Sequence, residues 1–177
     1  MTKQDYILKY KDTAQVAGSL YGINPTIILA QSAHESGWGS STNVAQANNF
    51  FGVTASGKPN QYWSGKSRTA STGLKFRVYA TPTDSFKDFA RLIKEKYPTS
   101  AKVSSNVKLY AHSIAQSPYI SEENGDDRTV YEKAIISIAN EVNKILGEQW
   151  FKKAVETTLI SAFIIGISIG IIQQLRA

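Results

Sequence analysis

The residue best placed for acid–base chemistry is Glu35, within the run Gln31-Ser-Ala-His-Glu-Ser-Gly-Trp-Gly39. Ile27 to Ala30 are apolar just before it, and Gly37 and Gly39 interrupt the pattern just after it, so Glu35 closes an apolar helix. A carboxyl there sits near the negative end of the helix dipole, which disfavours its ionised form. The indole of Trp38 is expected to wall it off from water, and both effects raise a carboxyl pKa. A carboxyl that keeps its proton near neutral pH can hand it to a leaving oxygen as a general acid. The flanking glycines are expected to leave room for a polymer. The local physics also admits a plainer reading, a solvated Glu at a helix end.

Other chemistries are poorly supplied. The chain of 177 residues has no cysteine, which excludes disulfides, zinc–thiolate sites and thiol catalysis. His34 and His112 are the only histidines and neither belongs to a two-histidine metal motif, so no metal and no cofactor are expected. The formal charge of +6 suits a polyanionic partner. Its distribution says more: no Asp or Glu occurs from Ser36 to Thr83, while Lys58, Lys66, Arg68, Lys75 and Arg77 do. That stretch either faces something negative or is a solvated basic region. Only the net charge favours nucleic acid, and no nucleic-acid partner is expected.

Several elements must position Glu35. Thr2 and Asp5 form a capping-box pattern, opening a helix with Tyr6, Ile7, Tyr10, Ala14, Ala17 and Leu20 on its apolar side and Gly22 at its end. Asn24-Pro25 restarts a helix, with Asn as N-cap and Pro at the first helical position. From Ser40 to Ala80 the chain is rich in Ser, Thr, Asn and Gly. One strand stands out there, with Leu74, Phe76 and Val78 alternating with Lys75, Arg77 and Tyr79 after a hairpin within Ser64 to Gly73. Thr81-Pro-Thr-Asp84 caps a helix bearing Phe86, Phe89, Ala90, Ile93 and Tyr97, stopped by Pro98. A shorter helix carries Val107, Tyr110, Ala111 and Ile114. After the acidic loop from Ser117 to Asp127, a last helix carries Val130, Ala134, Ile135, Ile138, Val142 and Ile145 as far as Gly147.

The segment from Tyr21-Gly-Ile-Asn-Pro25 through Gln31-Ser-Ala-His-Glu-Ser-Gly-Trp-Gly39 to Ser41 resembles the catalytic segment of glycoside hydrolase family 73. These are bacterial N-acetylglucosaminidases of peptidoglycan, including muramidase-like domains of flagellar rod-assembly proteins. The resemblance continues in Asn48-Asn-Phe-Phe-Gly-Val53, Lys75-Phe-Arg-Val-Tyr79 and Ser85-Phe-Lys-Asp-Phe-Ala90, and covers roughly Asp5 to Leu146. It implies an α+β, mostly α, lysozyme-like domain over residues 1–147, with a helical lobe, a small β lobe and a glycan cleft between them. It implies that Glu35 matches the general acid and that Tyr119 matches an active-site tyrosine facing it. Trp38, Asn49 and Phe51 are then expected to bind substrate, although structural roles are as open for Asn49 and Phe51.

One departure matters. Many relatives carry a second glutamate in the β lobe, and here no acid lies between Glu35 and Asp84. Three routes remain: attack by the substrate's own acetamido group, water activated by Glu122, Glu123, Asp126 or Asp127, or glycan binding with slow cleavage. The rivals are a lytic transglycosylase and a non-catalytic wall-binding membrane protein.

The tail, residues 148–177, has a different composition. Thr157 to Ile172 is uncharged and mostly apolar, about 24 Å as a helix. Ala154 to Leu175 reaches about 33 Å, enough for a bilayer core of about 30 Å. Lys152, Lys153 and Arg176 flank it, with Trp150-Phe151 at one interface. A C-terminal transmembrane helix is expected, with Ala162, Gly166 and Gly170 forming a stripe for close helix–helix self-association. The N-terminus is polar and lacks a signal-peptide core. The expectation is therefore a membrane-associated protein acting on the bacterial wall, delivered by a bacteriophage or prophage as a lysis protein or within a virion membrane.

Overall fold

The computed structural model describes residues 1–121, 125 and 127–147. Residues 1–142 form one compact unit; residues 143–177 form a second, of which helical residues 143–147 are described. The first unit is mostly helical with a two-stranded sheet, the lysozyme-like α+β layout. The apolar tail from Ala154 to Leu175 lies outside the described residues, and no described helix is long and apolar enough to cross a membrane.

Helix α1 (Lys3–Tyr21) opens on the full Thr2/Asp5 capping box and ends at Gly22. Tyr6, Ile7, Tyr10, Ala14 and Ala17 are buried, but Leu20, expected on the apolar side, is exposed. Gly18 is there for space: a Cβ on it would lie 2.5 Å from the carbonyl oxygen of Ile23. Helix α2 (Pro25–Ser36) starts from the Asn24 cap and is buried around nearly its whole circumference, Gln31 and Ser32 included. It packs on α1 and α4 (Pro82–Lys96), whose Thr81/Asp84 box also forms. Pro98, expected as a stop, occupies the first position of the short helix α5 (Pro98–Lys102). Helix α6 (Val107–Ala115) follows, and α7 covers residues 128–147, capped by Asp127 Oδ1 on the Val130 amide.

The segment between Ser40 and Ala80 holds the departures from sequence. A helix absent from the reading, α3 (Thr42–Ala47), forms between a Ser41 cap and Asn48 in the left-handed region. Strands β1 (Ser67–Thr69) and β2 (Lys75–Arg77) pair antiparallel with Arg68 opposite Phe76, and Thr54 bridges to Phe76. The alternation is real, but the buried side chains are Arg77 and Tyr79, while Leu74 is exposed. The cause is Asp88 on α4, itself fully buried, which accepts from Arg77 Nη1 at 2.6 Å and from the Tyr79 hydroxyl at 2.8 Å. An ion pair with ample hydrogen bonds outranks three apolar side chains in choosing the inward face. It also removes Arg77 from the cations of the basic stretch that could meet an anionic partner.

Candidate active site

Glu35 lies in the last turn of α2, half-buried, on the wall of a cleft of about 380 Å³. The backbone directly after it makes an abrupt turn: Gly37, Trp38 and Gly39 all have positive φ, at 56°, 58° and 78°. Gly37 is the left-handed C-cap. Trp38 is a bulky residue in a region L-residues rarely adopt, and its ring packs edge-on against Tyr6 at 5.8 Å with Lys3 Nζ above it. Trp38 is not among the cleft-lining residues, and the aromatic groups that contact the Glu35 carboxylate are tyrosines. The two glycines shape the turn instead of lining open space; Gly39 lets Tyr6 approach, where a Cβ would sit 3.0 Å from the ring.

Two phenols point at the same carboxylate oxygen. The Tyr119 hydroxyl donates to Glu35 Oε1 at 3.2 Å, and the Tyr131 hydroxyl donates to it at 3.5 Å. Tyr119 follows α6 on a loop held from both sides. Its amide donates to Ser117 Oγ at 3.1 Å, and Arg128 of α7 donates to the Ser117 carbonyl at 2.9 Å and to that of Ala115. Tyr97 at the end of α4 packs edge-on against Tyr119, with centroids 5.5 Å apart. Burial foremost, then the charge of Glu35, holds the phenols of Tyr119 and Tyr131 well above the ordinary tyrosine value. Both are therefore protonated donors across the physiological range. His34 meets Tyr131 edge-on at 5.2 Å, and desolvation keeps its pKa below the usual histidine value.

Asn49 does not line the cleft. It is buried, and its side chain is engaged by backbone: Nδ2 donates to the carbonyls of Val53 and Arg77, and Oδ1 accepts from the Val53 amide. Its observed contacts hold the loop whose Phe51, Val53 and Thr54 line the cleft. Phe51 lies in the cleft lining, stacked on Phe89 at 3.9 Å. Among the acidic-loop candidates, Asp127 is occupied as the α7 cap, and Glu122, Glu123 and Asp126 lie outside the described residues. Glu35 is the only carboxylate among the described residues that line the cleft.

Tyr131 is absent from the apolar face that the sequence predicts for α7, and Val130, expected there, is exposed. The signal was present: Tyr131, Ile135, Ala139 and Val142, all buried, repeat at spacings of four, four and three.

A mostly helical domain with a small sheet lobe, and one carboxylate at a helix end facing an aromatic cleft, has the layout of a lysozyme-like glycoside hydrolase. Residues 11–144 match the family model described as mannosyl-glycoprotein endo-beta-N-acetylglucosaminidase. The chain belongs to this glucosaminidase family of glycoside hydrolases, corresponding to glycoside hydrolase family 73. It is 31% identical over 160 residues to the exo-glucosaminidase LytG of Bacillus subtilis, covering 81% of this chain and 56% of that one. It is 24% identical over 155 residues to the peptidoglycan hydrolase FlgJ of Vibrio cholerae, covering 78% and 45%. The chain thus spans about half the length of the curated relatives it matches. The glycoside hydrolase domain of Salmonella typhimurium FlgJ shares its fold with a TM-score of 0.65 at 23% identity, over 89% of this chain and 98% of that one.

Proposed function

We propose that this chain cleaves the β-1,4 bond after N-acetylglucosamine in bacterial peptidoglycan, with Glu35 as general acid. The supporting observation is the pair Tyr119 and Glu35, hydrogen-bonded at 3.2 Å within the cleft. Protonated Glu35 gives its proton to the glycosidic oxygen as the C–O bond breaks. The 2-acetamido oxygen of the same sugar bonds to the anomeric carbon, and Tyr119 stabilises the charge that develops. Water then opens the ring intermediate and returns a proton to Glu35. This route needs no second carboxylate, in keeping with Glu35 being the sole one among the described cleft residues. Retaining and inverting glycosidases that use two carboxylates would require a partner for it.

The same observation favours one second reading, a lytic transglycosylase, in which an internal sugar hydroxyl replaces water. Mass spectrometry of products from purified peptidoglycan separates the two. Fragments that have gained one water and end in reducing N-acetylglucosamine are expected. Anhydro-sugar ends would replace the hydrolytic mechanism, and an unchanged substrate would leave only wall binding.

We also propose that the enzyme is seated in a membrane next to the wall, a virion membrane included. Its support is compositional, the apolar run from Ala154 to Leu175 with flanking cations. Full-length protein is expected to float with phospholipid vesicles after a carbonate wash, and Ile165→Lys should reduce that retention severalfold. Equal retention of the two proteins would remove the anchor.

A further inference from the structure

The two phenols at Glu35 differ in what stands behind them. Tyr119 hangs from a loop, whereas Tyr131 ends a chain of buried side chains. The Tyr110 hydroxyl donates to Gln31 Oε1 at 2.6 Å, Gln31 Nε2 donates to the Tyr131 oxygen at 2.8 Å, and the Tyr131 hydroxyl donates to Glu35 Oε1 at 3.5 Å. Gln31 and Tyr110 are 0% exposed, so water does not compete for these groups.

We infer that Gln31 is a positioning residue for the proposed reaction: its amide, fixed by Tyr110, makes Tyr131 donate to Oε1 of Glu35 and so holds that oxygen as an acceptor beside Tyr119. The inference rests on the reading of Glu35 as the acid. An amide is a donor at one end and an acceptor at the other, and a phenol has one proton to give. With the Tyr110 proton on Oε1, the Nε2 end faces Tyr131 and occupies its oxygen, leaving its proton for the carboxylate. The reversed amide would draw the Tyr131 proton onto a neutral carbonyl. A bond to an ionised oxygen is the stronger one, so the direction that Tyr110 and Gln31 fix is also the one that strengthens the contact with Glu35. Tyr119 and Tyr131 together then hold Oε1 as an acceptor, and a proton placed there would meet two donors.

Other titratable or charged groups surround the site among the described residues. They are His34 on α2, Tyr97 and Lys96 at the end of α4, and Arg77 of β2, which is engaged by Asp88. None of them is altered by the test variant. Tyr110→Phe removes one hydroxyl two hydrogen bonds away from Glu35 and keeps the ring. Gln31 then loses the bond that fixes its amide, Tyr131 shares its proton, and the ionised Glu35 loses part of a donor. Hydrogen bonds to the charged form favour it, so losing one raises the acid's pKa. Activity that requires the protonated acid falls as pH rises through that value. The alkaline limb of kcat is therefore expected to move up by about half to one pH unit, with KM unchanged. Tyr131→Phe should move it the same way, and adding Tyr110→Phe to that variant should do nothing further.

A purely structural role predicts lower thermal stability with the limb in place. An unmoved limb in folded Tyr110→Phe would overturn the relay, as would a full repeat of the shift without the Tyr131 hydroxyl. Should Tyr110→Phe fold poorly, Gln31→Met, of similar size, must give the same upward shift. Glu35→Gln run alongside keeps the two levels apart. If that variant stays active, the reading of the acid fails; if it is inactive while the limb is unmoved, only the relay fails.

Discussion

Glu35→Gln is expected to leave a folded protein that releases essentially no soluble fragments from peptidoglycan. The substitution keeps the shape of the side chain and an oxygen that can still accept from Tyr119 and Tyr131. The melting temperature should therefore change little. What disappears is the proton. Positioned acid catalysis contributes about 10²- to 10⁴-fold, and the amide can supply none of it. A turbidity assay on purified walls, run beside a thermal melt, should show a drop of at least about 10²-fold at unchanged stability. The small residual rate should lack the alkaline limb, because no ionisable acid remains at that position. Wild-type turnover in the variant would remove Glu35 from the chemistry and with it the proposed mechanism.

The position of this carboxylate in the last turn of α2 was legible because local rules suffice there. Asn24-Pro25 starts the helix, Gly37 stops it, and nothing distant is needed to place position 35 in the last turn. The capping boxes of α1 and α4 were legible for the same reason. Where partners far along the chain decide, pattern reading went astray. Arg77 and Tyr79 turn inward because Asp88, on another element, receives them, and no alternation rule contains that fact. In the string of letters Asn49 fits a groove role and a structural role alike, and its side chain is engaged by the backbone at Val53 and at Arg77, the latter 28 residues away. Tyr131 was passed over for its neighbour Val130 because a one-residue phase error on a helix exchanges the inward and outward faces by about 100°. The phenol that completes the site is the residue that such an error hides.

The same distant partnership sets the second large effect, Asp88→Asn. Asp88 receives Arg77 Nη1 and the Tyr79 hydroxyl on Oδ2, and Arg91 and Asn60 Nδ2 on Oδ1, all within 3.0 Å. It is 0% exposed and Arg77 is 4% exposed. An asparagine there presents an NH₂ to a ring of donors and leaves a buried guanidinium without its counter-charge. Breaking a buried pair from one side costs about 3–5 kcal/mol. For a chain of this size that lowers the melting temperature by roughly 10 °C, measurable by calorimetry. In an Arg77→Met background the buried cation is already gone, so adding Asp88→Asn should cost distinctly less; equal costs in the two backgrounds would show that the pair is not coupled. The loss should also reach the cleft. Arg77 donates to the carbonyls of Thr54 at 3.2 Å and Ser56 at 2.7 Å, and those two residues line the cleft that also holds Glu35. Below the melting transition, Asp88→Asn is therefore expected to raise KM for glycan while kcat changes little, because the lining at Thr54 and Ser56 loosens while Glu35 and its two phenols stay in place.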